Sequence, residues 1–357
     1  DSLKNHANKL ILDDLEIYRF PNNKYSADIT SHSFLINYLK NLFYEYQRLR
    51  QKFDFIKQYD YDIFHYHGVE YSSMLSSLNR NFAFDFSGTF LNFSKINKPK
   101  VITLHNHPLN ELGYKIYDRQ IKDFENIICV DKFIFDYCKI KFRDKKIHFI
   151  PNFVDNKKFF FKPKKRNSKK LKIGFAGRID PYYLDKFKLS ISALKKLIKQ
   201  LSDNISLKMA LINNDETKFK HFISKEGPIS LNIGDNKFIS IIQNLNENEM
   251  IDFYHEIDLL FAPIATPGIS RMALEAMSCG TPVIMLDNED RTPIVDEVTG
   301  LLVDSKNLDI EDKIGLFFNN SKFISELSFN CRKEIVNKFS KKIVMPRIEN
   351  IYKSMVN

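Results

Sequence analysis

No stretch of this sequence stays apolar for the ~18 residues that a bilayer-spanning helix needs, which sets aside a helical integral membrane protein. Cysteine is scarce. Cys129, Cys138, Cys279 and Cys331 lie far apart without metal-ligand spacing, and they read as reduced core thiols of a cytoplasmic protein. Tryptophan is absent, and the chain is rich in Lys, Asn, Ile, Phe and Tyr, a compositional bias that by itself assigns no chemistry. No period points to a solenoid. No basic motif interleaved with aromatics and no base-reading module is present, so the net charge of +10 does not read as a nucleic-acid surface. What remains is a field suited to anionic nucleotides or to an anionic lipid face.

What is present is a soluble globular composition, 43% hydrophobic and 27% charged, on a chain of 357 residues that suits two domains. Apolar strand patterns alternate with helical ones. In the first half they are LEIYRF (15–20), DIFHYH (62–67), NFAFDF (81–86), KVITLH, NIICV and KIHFIP, with a long amphipathic helix predicted over 33–53. The second half repeats the theme with KIGFAG (172–177), LKMALI, FISII, DLLFAP, PVIML and GLLV. This predicts an α/β protein of two Rossmann-like, doubly wound parallel-sheet domains facing across a cleft. The expected boundaries are 1–152, a basic linker over 153–170, 171–339, and a terminal amphipathic helix over 340–357, placed to cross back to the first domain. The run KPKKRNSKK (162–170) reads as a solvated part of that linker.

Residues 263–283 (PIATPGISRMALEAMSCGTPV) are the most informative segment. A short buried strand ends in the breakers Pro267 and Gly268. Ser270 then suits a helix N-cap, RMALEAMSC a helix, and Gly280 its stop. A helix starting just beyond a parallel strand aims unpaired N–H groups at the sheet's carboxyl edge, where a diphosphate binds well. Glu275, a turn and a half inside, is within reach of a ribose. Ligands of doubly wound sheets sit outside the strand carboxyl ends. The other residues at such ends are His67 and Gly68, His105 and Asn106, and Gly177 and Arg178. The pairs His65/His67 and His105/His107 admit a second reading as metal ligands on one strand face. Asp60 and Asp62 form a D-x-D that precedes a strand and reads as its solvated entrance.

With these residues placed, the chain resembles the retaining glycosyltransferases of the GT-B class, the family-4 type that uses nucleotide-sugar donors. The resemblance is carried by DIFHYHG (62–68), VITLH (101–105), IICVDKF (127–133), IPNFVD (150–155), GFAGRID (174–180), LEAMSCGTPVI (274–284) and VTGLLV (298–303). It implies a cytoplasmic, metal-independent hexosyltransferase, and the basic amphipathic helix over 33–53 suits peripheral contact with a membrane or a lipid acceptor. The co-substrate implied is a UDP- or GDP-linked sugar, and the acceptor a sugar or a lipid-linked sugar. Arg178 and Lys186, with Lys188 as the alternative, would hold the diphosphate, and His105 would lie near the reacting sugar. Gly177, Asn244, Gly268, Ile269, Ser270, Arg271 and Glu275 would line the donor site, and His67 and Asn106 the acceptor side. The family's first glutamate, eight positions before Glu275, is here Pro267, and its glycine before the base-binding loop is Gln243. Pro267 also motivates a non-catalytic, nucleotide-binding reading. By order along the family, LEIYRF corresponds to the second strand of the first domain, preceded by a helix-like segment at 2–10, so some 15–25 further residues are expected upstream.

Overall fold

The computed structural model describes residues 8–12, 15–19, 54, 56–58, 60–67, 93–105, 111–164, 170–177, 205–211, 239–262, 270–287, 292–304, 309–320 and 322–356. The chain opens on an antiparallel pair, β1 (Asn8–Leu12) with β2 (Leu15–Arg19), in register from Asn8↔Arg19 to Leu12↔Leu15. This corrects two expectations. The segment at 2–10 is not helical where it is described, and β2 pairs with β1 and not within a parallel sheet. Two apolar stretches separated by two residues have hairpin spacing, and that pairing outweighs the helix-like composition.

The first parallel sheet comprises β3 (Phe64–His67), β4 (Lys100–Leu104), β5 (Asn126–Cys129) and β6 (Lys146–Phe149), adjacent in that order. Helix α1 (Glu111–Ile121) links β4 to β5, and α2 (Lys132–Lys141) links β5 to β6. Period-two alternation divides the side chains between two faces. Phe64, Ile102, Leu104, Ile127 and Cys129 bury one face against Tyr117, Ile121, Ile134 and Cys138 of the two helices.

The second sheet is also parallel. It contains β7 (Leu171–Gly177), β8 (Ile205–Leu211), β9 (Ile239–Gln243), β10 (Leu259–Phe261), β11 (Val283–Leu286) and β12 (Gly300–Val303). Their order is β12-β11-β10-β7-β8-β9, so the winding reverses between β7 and β10. Helices α3 (Glu247–Glu256) and α4 (Arg271–Ser278) cover one face. Helices α5 (Ile310–Asn319) and α6 (Phe323–Glu334) cover the other. Strands buried on both faces must be apolar throughout, which is why the sequence shows them as continuous hydrophobic runs. At Gly174 a Cβ would lie 2.2 Å from Ile257 Cδ1, so a larger residue there would force the Ile257 side chain to another position.

After α6 a π-helical turn (Ile335–Phe339) leads into α7 (Lys341–Val356), which lies on the open face of the first sheet. Val344 and Ile351 pack there against Val101, Ile128 and Ile150. The two crossings of the chain between domains run side by side. Val154 N–H donates to Phe339 O, and Lys341 N–H donates to Val154 O, both at 3.0 Å.

The solvated-linker expectation holds at the exposed Lys162 and Lys170 and is corrected at Lys164. Lys164 is only 5% exposed and donates from Nζ to Tyr254 O at 2.7 Å and His255 O at 2.8 Å. The carbonyls at the end of α3 need donors, and a cation there is also favoured by the helix dipole. Arg332 fastens the same stretch by donating to Asn156 O, Phe159 O and Ser278 O. All four cysteines are buried free thiols.

Candidate functional site

The strand order reverses between the paired β7 and β10, and the crevice of a doubly wound sheet lies outside the carboxyl ends of such a pair. Gly177 ends β7. Ser270 caps α4, its Oγ accepting from Ala273 N–H at 3.4 Å, so the helix begins immediately beyond the loop that follows β10. The helix stops as its sequence requires. Gly280 takes φ +82°, with Gly280 N–H on Met277 O and Thr281 N–H on Ala276 O, the paired bonds of a Schellman motif.

Glu275 points from α4 with its side chain 16% exposed. Tyr254 on α3 donates its hydroxyl to Oε2 at 3.0 Å, and the Arg271 guanidinium lies 3.6 Å from Oε1. Burial raises the Glu275 pKa, while the Tyr254 hydrogen bond and Arg271 oppose the rise. A carboxylate offers about four acceptor positions, so it retains capacity for the hydroxyls of a sugar. At the end of β9 the left-handed residue is Asn244, with φ 56°. The family resemblance puts its glycine at Gln243. The backbone need falls one residue later, on a side chain that tolerates this region well.

In the first domain, β3 and β4 are neighbours, so His65, His67 and His105 share one face. The His67 Nδ1 and His105 Nε2 atoms are 3.1 Å apart. His65 and His67 stack with ring centroids 4.1 Å apart. His65 Nε2 bonds Thr103 Oγ1 at 2.8 Å, and its Nδ1 bonds the Tyr352 hydroxyl of α7. Burial lowers all three imidazole pKa values, that of His65 to about 3, so the cluster is neutral at physiological pH. Among the described residues no group of three or more His, Cys, Asp or Glu is arranged to hold a metal ion. Asp60 is an exposed partner of Lys98 at 3.1 Å, a solvated strand entrance.

The two halves face each other. Arg271, at the start of α4, is near enough to His105 for its positive charge to help depress the imidazole pKa. The described site residues therefore form two pairs, His67 with His105 and Arg271 with Glu275, the second on the helix that Ser270 caps, with Arg271 linking them through its charge on His105. Arg178, Lys186, Lys188, Gly268, Ile269, Asn106, His107 and Pro267 lie outside the described residues, as does the helix expected over 33–53. Sequence reasoning missed Tyr254, Thr103 and Tyr352. Of these, Tyr352 carried a signal of burial alone, lying with Ile348, Ile351 and Met355 on the buried stripe of α7, and none of its pairing with His65.

Two parallel-sheet α/β domains with a site at the carboxyl edges of their strands define a GT-B fold, and whole-chain comparison agrees. Sucrose-phosphate synthase from Thermosynechococcus elongatus superposes with a TM-score of 0.68 at 14% identity, over 94% of this chain and 83% of that one. HepE from Anabaena, solved with UDP-glucose, gives 0.59 at 14% identity over 72% of each chain. Residues 156–334, half of the sequence, match the model of the family Glycosyl transferases group 1. The chain belongs to that family. A curated relative, the capsular polysaccharide biosynthesis glycosyltransferase CapM of Staphylococcus aureus, is 24% identical over 211 residues, 57% of this chain. The match spans about half of that relative, 51% of its length.

Proposed function

We propose that this protein transfers a hexosyl group from a nucleotide-diphosphate sugar to an acceptor, with retention of anomeric configuration and without a metal ion. The observation that carries this reading is the Arg271–Glu275 pair at the switch point of the second sheet, with Arg271 near enough to His105 of the first for its charge to act on that ring. As the glycosidic bond breaks, negative charge accumulates on the leaving diphosphate. Arg178, Lys186 or Lys188, and the backbone N–H groups of Gly268, Ile269 and Ser270 meet that charge. Glu275 accepts from the ribose hydroxyls, oriented by Tyr254. Gly177 leaves room for the donor, and Asn244 turns the chain beside the base. His105 contacts the donor sugar, with His67 and Asn106 toward the acceptor. Attack on the same face as the departing diphosphate accounts for retention without a nucleophilic carboxylate.

The HepE complex makes UDP-glucose the first donor to test, followed by GDP-linked sugars. Purified protein should be thermally stabilised by UDP or GDP and should release it from a matching sugar donor at the same rate in EDTA. The product anomer is read by NMR. Absence of both stabilisation and release across the donor panel overturns the reading. Pro267, standing where the family has a glutamate, favours a second reading as a nucleotide-binding protein without turnover, which any transfer activity excludes. The acceptor is proposed to be a sugar or lipid-linked sugar. For a lipid-linked acceptor the protein works in the cytoplasm at the membrane surface, through the basic amphipathic segment 33–53. Failure to co-sediment with anionic liposomes at low salt removes that part.

A further inference from the structure

Tyr352 lies on the last helix, yet its hydroxyl reaches His65, one strand position pair away from the candidate site. The geometry is a chain of engaged rings. Tyr352 meets His65 edge-on, with centroids 5.6 Å apart at 77°. His65 in turn stacks on His67 at 4.1 Å and 27°, and His67 lies parallel to His105 within 21°. Both nitrogens of His65 are used, Nδ1 by Tyr352 and Nε2 by Thr103 Oγ1 at 2.8 Å. Since the ring is neutral, it has one N–H to share between two hydroxyls. The phenol is the stronger acid of the two, and burial keeps it protonated. Tyr352 O–H therefore donates to Nδ1, and His65 Nε2–H donates to Thr103 Oγ1. One tautomer and one ring plane result.

We propose that Tyr352 is a positioning residue: it locks the His65 ring on which His67 rests, and through the 3.1 Å His67–His105 contact it sets the orientation of His105 at the donor sugar. The role given to His105 rests on the glycosyltransferase reading, whereas the ring network is independent of it. The returning helix thereby acquires a part in the reaction beyond covering the sheet. Neutral stacked imidazoles hold little orientation of their own, and a strand-edge histidine free to turn would sample several rotamers.

Tyr352→Phe keeps the aromatic packing and removes one O–H, so it isolates the bond. In the full chain it should lower kcat by about tenfold to a hundredfold, the effect of a small misplacement of a reacting group, while KM for the donor and affinity for UDP stay unchanged. The imidazole 15N signals of His65, His67 and His105 should move with it. Met355→Ala, on the apolar stripe of the same helix, should lower the melting temperature and leave kcat and these signals in place. Unmoved His105 signals in Tyr352→Phe, or equal changes in Met355→Ala, overturn the proposal whichever donor is used. If Tyr352→Phe does not fold, the wild-type spectrum decides, because a His65 carrying its proton on Nδ1 is incompatible with this arrangement. A wild type that transfers no sugar while Tyr352→Phe still moves the His105 signals rejects the functional reading and keeps the positioning.

Discussion

Glu275 stands under opposing demands, and the residue scale is where they separate. As a proposed ribose ligand it must be ionised, yet burial raises its pKa against the help of Tyr254 and Arg271. A carboxyl whose folded pKa exceeds its unfolded value costs stability above the folded pKa, and the cost is relieved as pH falls toward the unfolded value. Glu275→Gln, which keeps an acceptor for Tyr254, should therefore stabilise the fold at pH 7.5 by on the order of 1 kcal/mol and lose that gain below pH 4.5. Denaturant midpoints at several pH values check it, and a variant less stable than wild type at pH 7.5 speaks against a strained carboxylate. Binding should move the other way. Glu275→Ala and Arg178→Ala should each weaken nucleotide affinity by roughly 1.5–3 kcal/mol, one through a lost ribose contact and the other through a lost charge-assisted phosphate contact. Calorimetry with UDP and GDP decides, and unchanged affinity in both variants would remove the site assignment.

At the scale of elements, what the sequence disclosed depended on how local the cause was. The strands of the second sheet were legible because burial on both faces demands unbroken apolar runs such as DLLFAP and PVIML. Helix α4 was legible because Ser270 and Gly280 do their capping within the helix's own turns. Tyr352 was not, because its partner His65 lies 287 residues away and nothing in either neighbourhood encodes the pairing. Lys164 misled for a related reason. Inside KPKKRNSKK it looks solvated, and only the tertiary fold reveals the two α3 carbonyls it serves. Burial pulls its pKa down from the ordinary 10.5 to about 8. Between those values the unfolded chain holds a proton that the folded one has released, so this group makes stability rise with pH from about 8 to 10.5. Lys164→Met should cost about 1–3 kcal/mol by leaving the carbonyls unpaired, and the penalty should be larger at pH 9.5 than at pH 7.5. Urea titrations at the two pH values measure it, and a penalty that shrinks with pH contradicts the assignment.

At the scale of the whole molecule, the two domains are coupled by a chain that crosses at Val154, returns beside it at Ser340, and then covers the first sheet with α7. The two cores depend on this path unequally. Among the described residues, α3 to α6 and the π-helical turn cover both faces of the second sheet, and no residue of α7 belongs to either of its cores. The first sheet has α1 and α2 on one face, while Val101, Ile128 and Ile150 on the other are buried by Val344 and Ile351. Fully burying a large aliphatic side chain is worth roughly 1.5–3 kcal/mol. Losing the burial of three that become exposed and two that are removed rivals the roughly 5–15 kcal/mol by which a domain is stable at all. Ending the chain after Ser340 should therefore unfold the first domain and spare the second. Hydrogen exchange should show the amides of β4 and β5 losing protection while those of β7, β8 and β10 keep theirs. Nucleotide affinity, proposed to belong to the second domain, should persist within about a factor of ten, or 1.4 kcal/mol, while transfer is abolished. Retained protection in β4 and β5 would mean that α7 merely rests on the sheet, and lost nucleotide affinity would mean that the donor site needs the first domain to form.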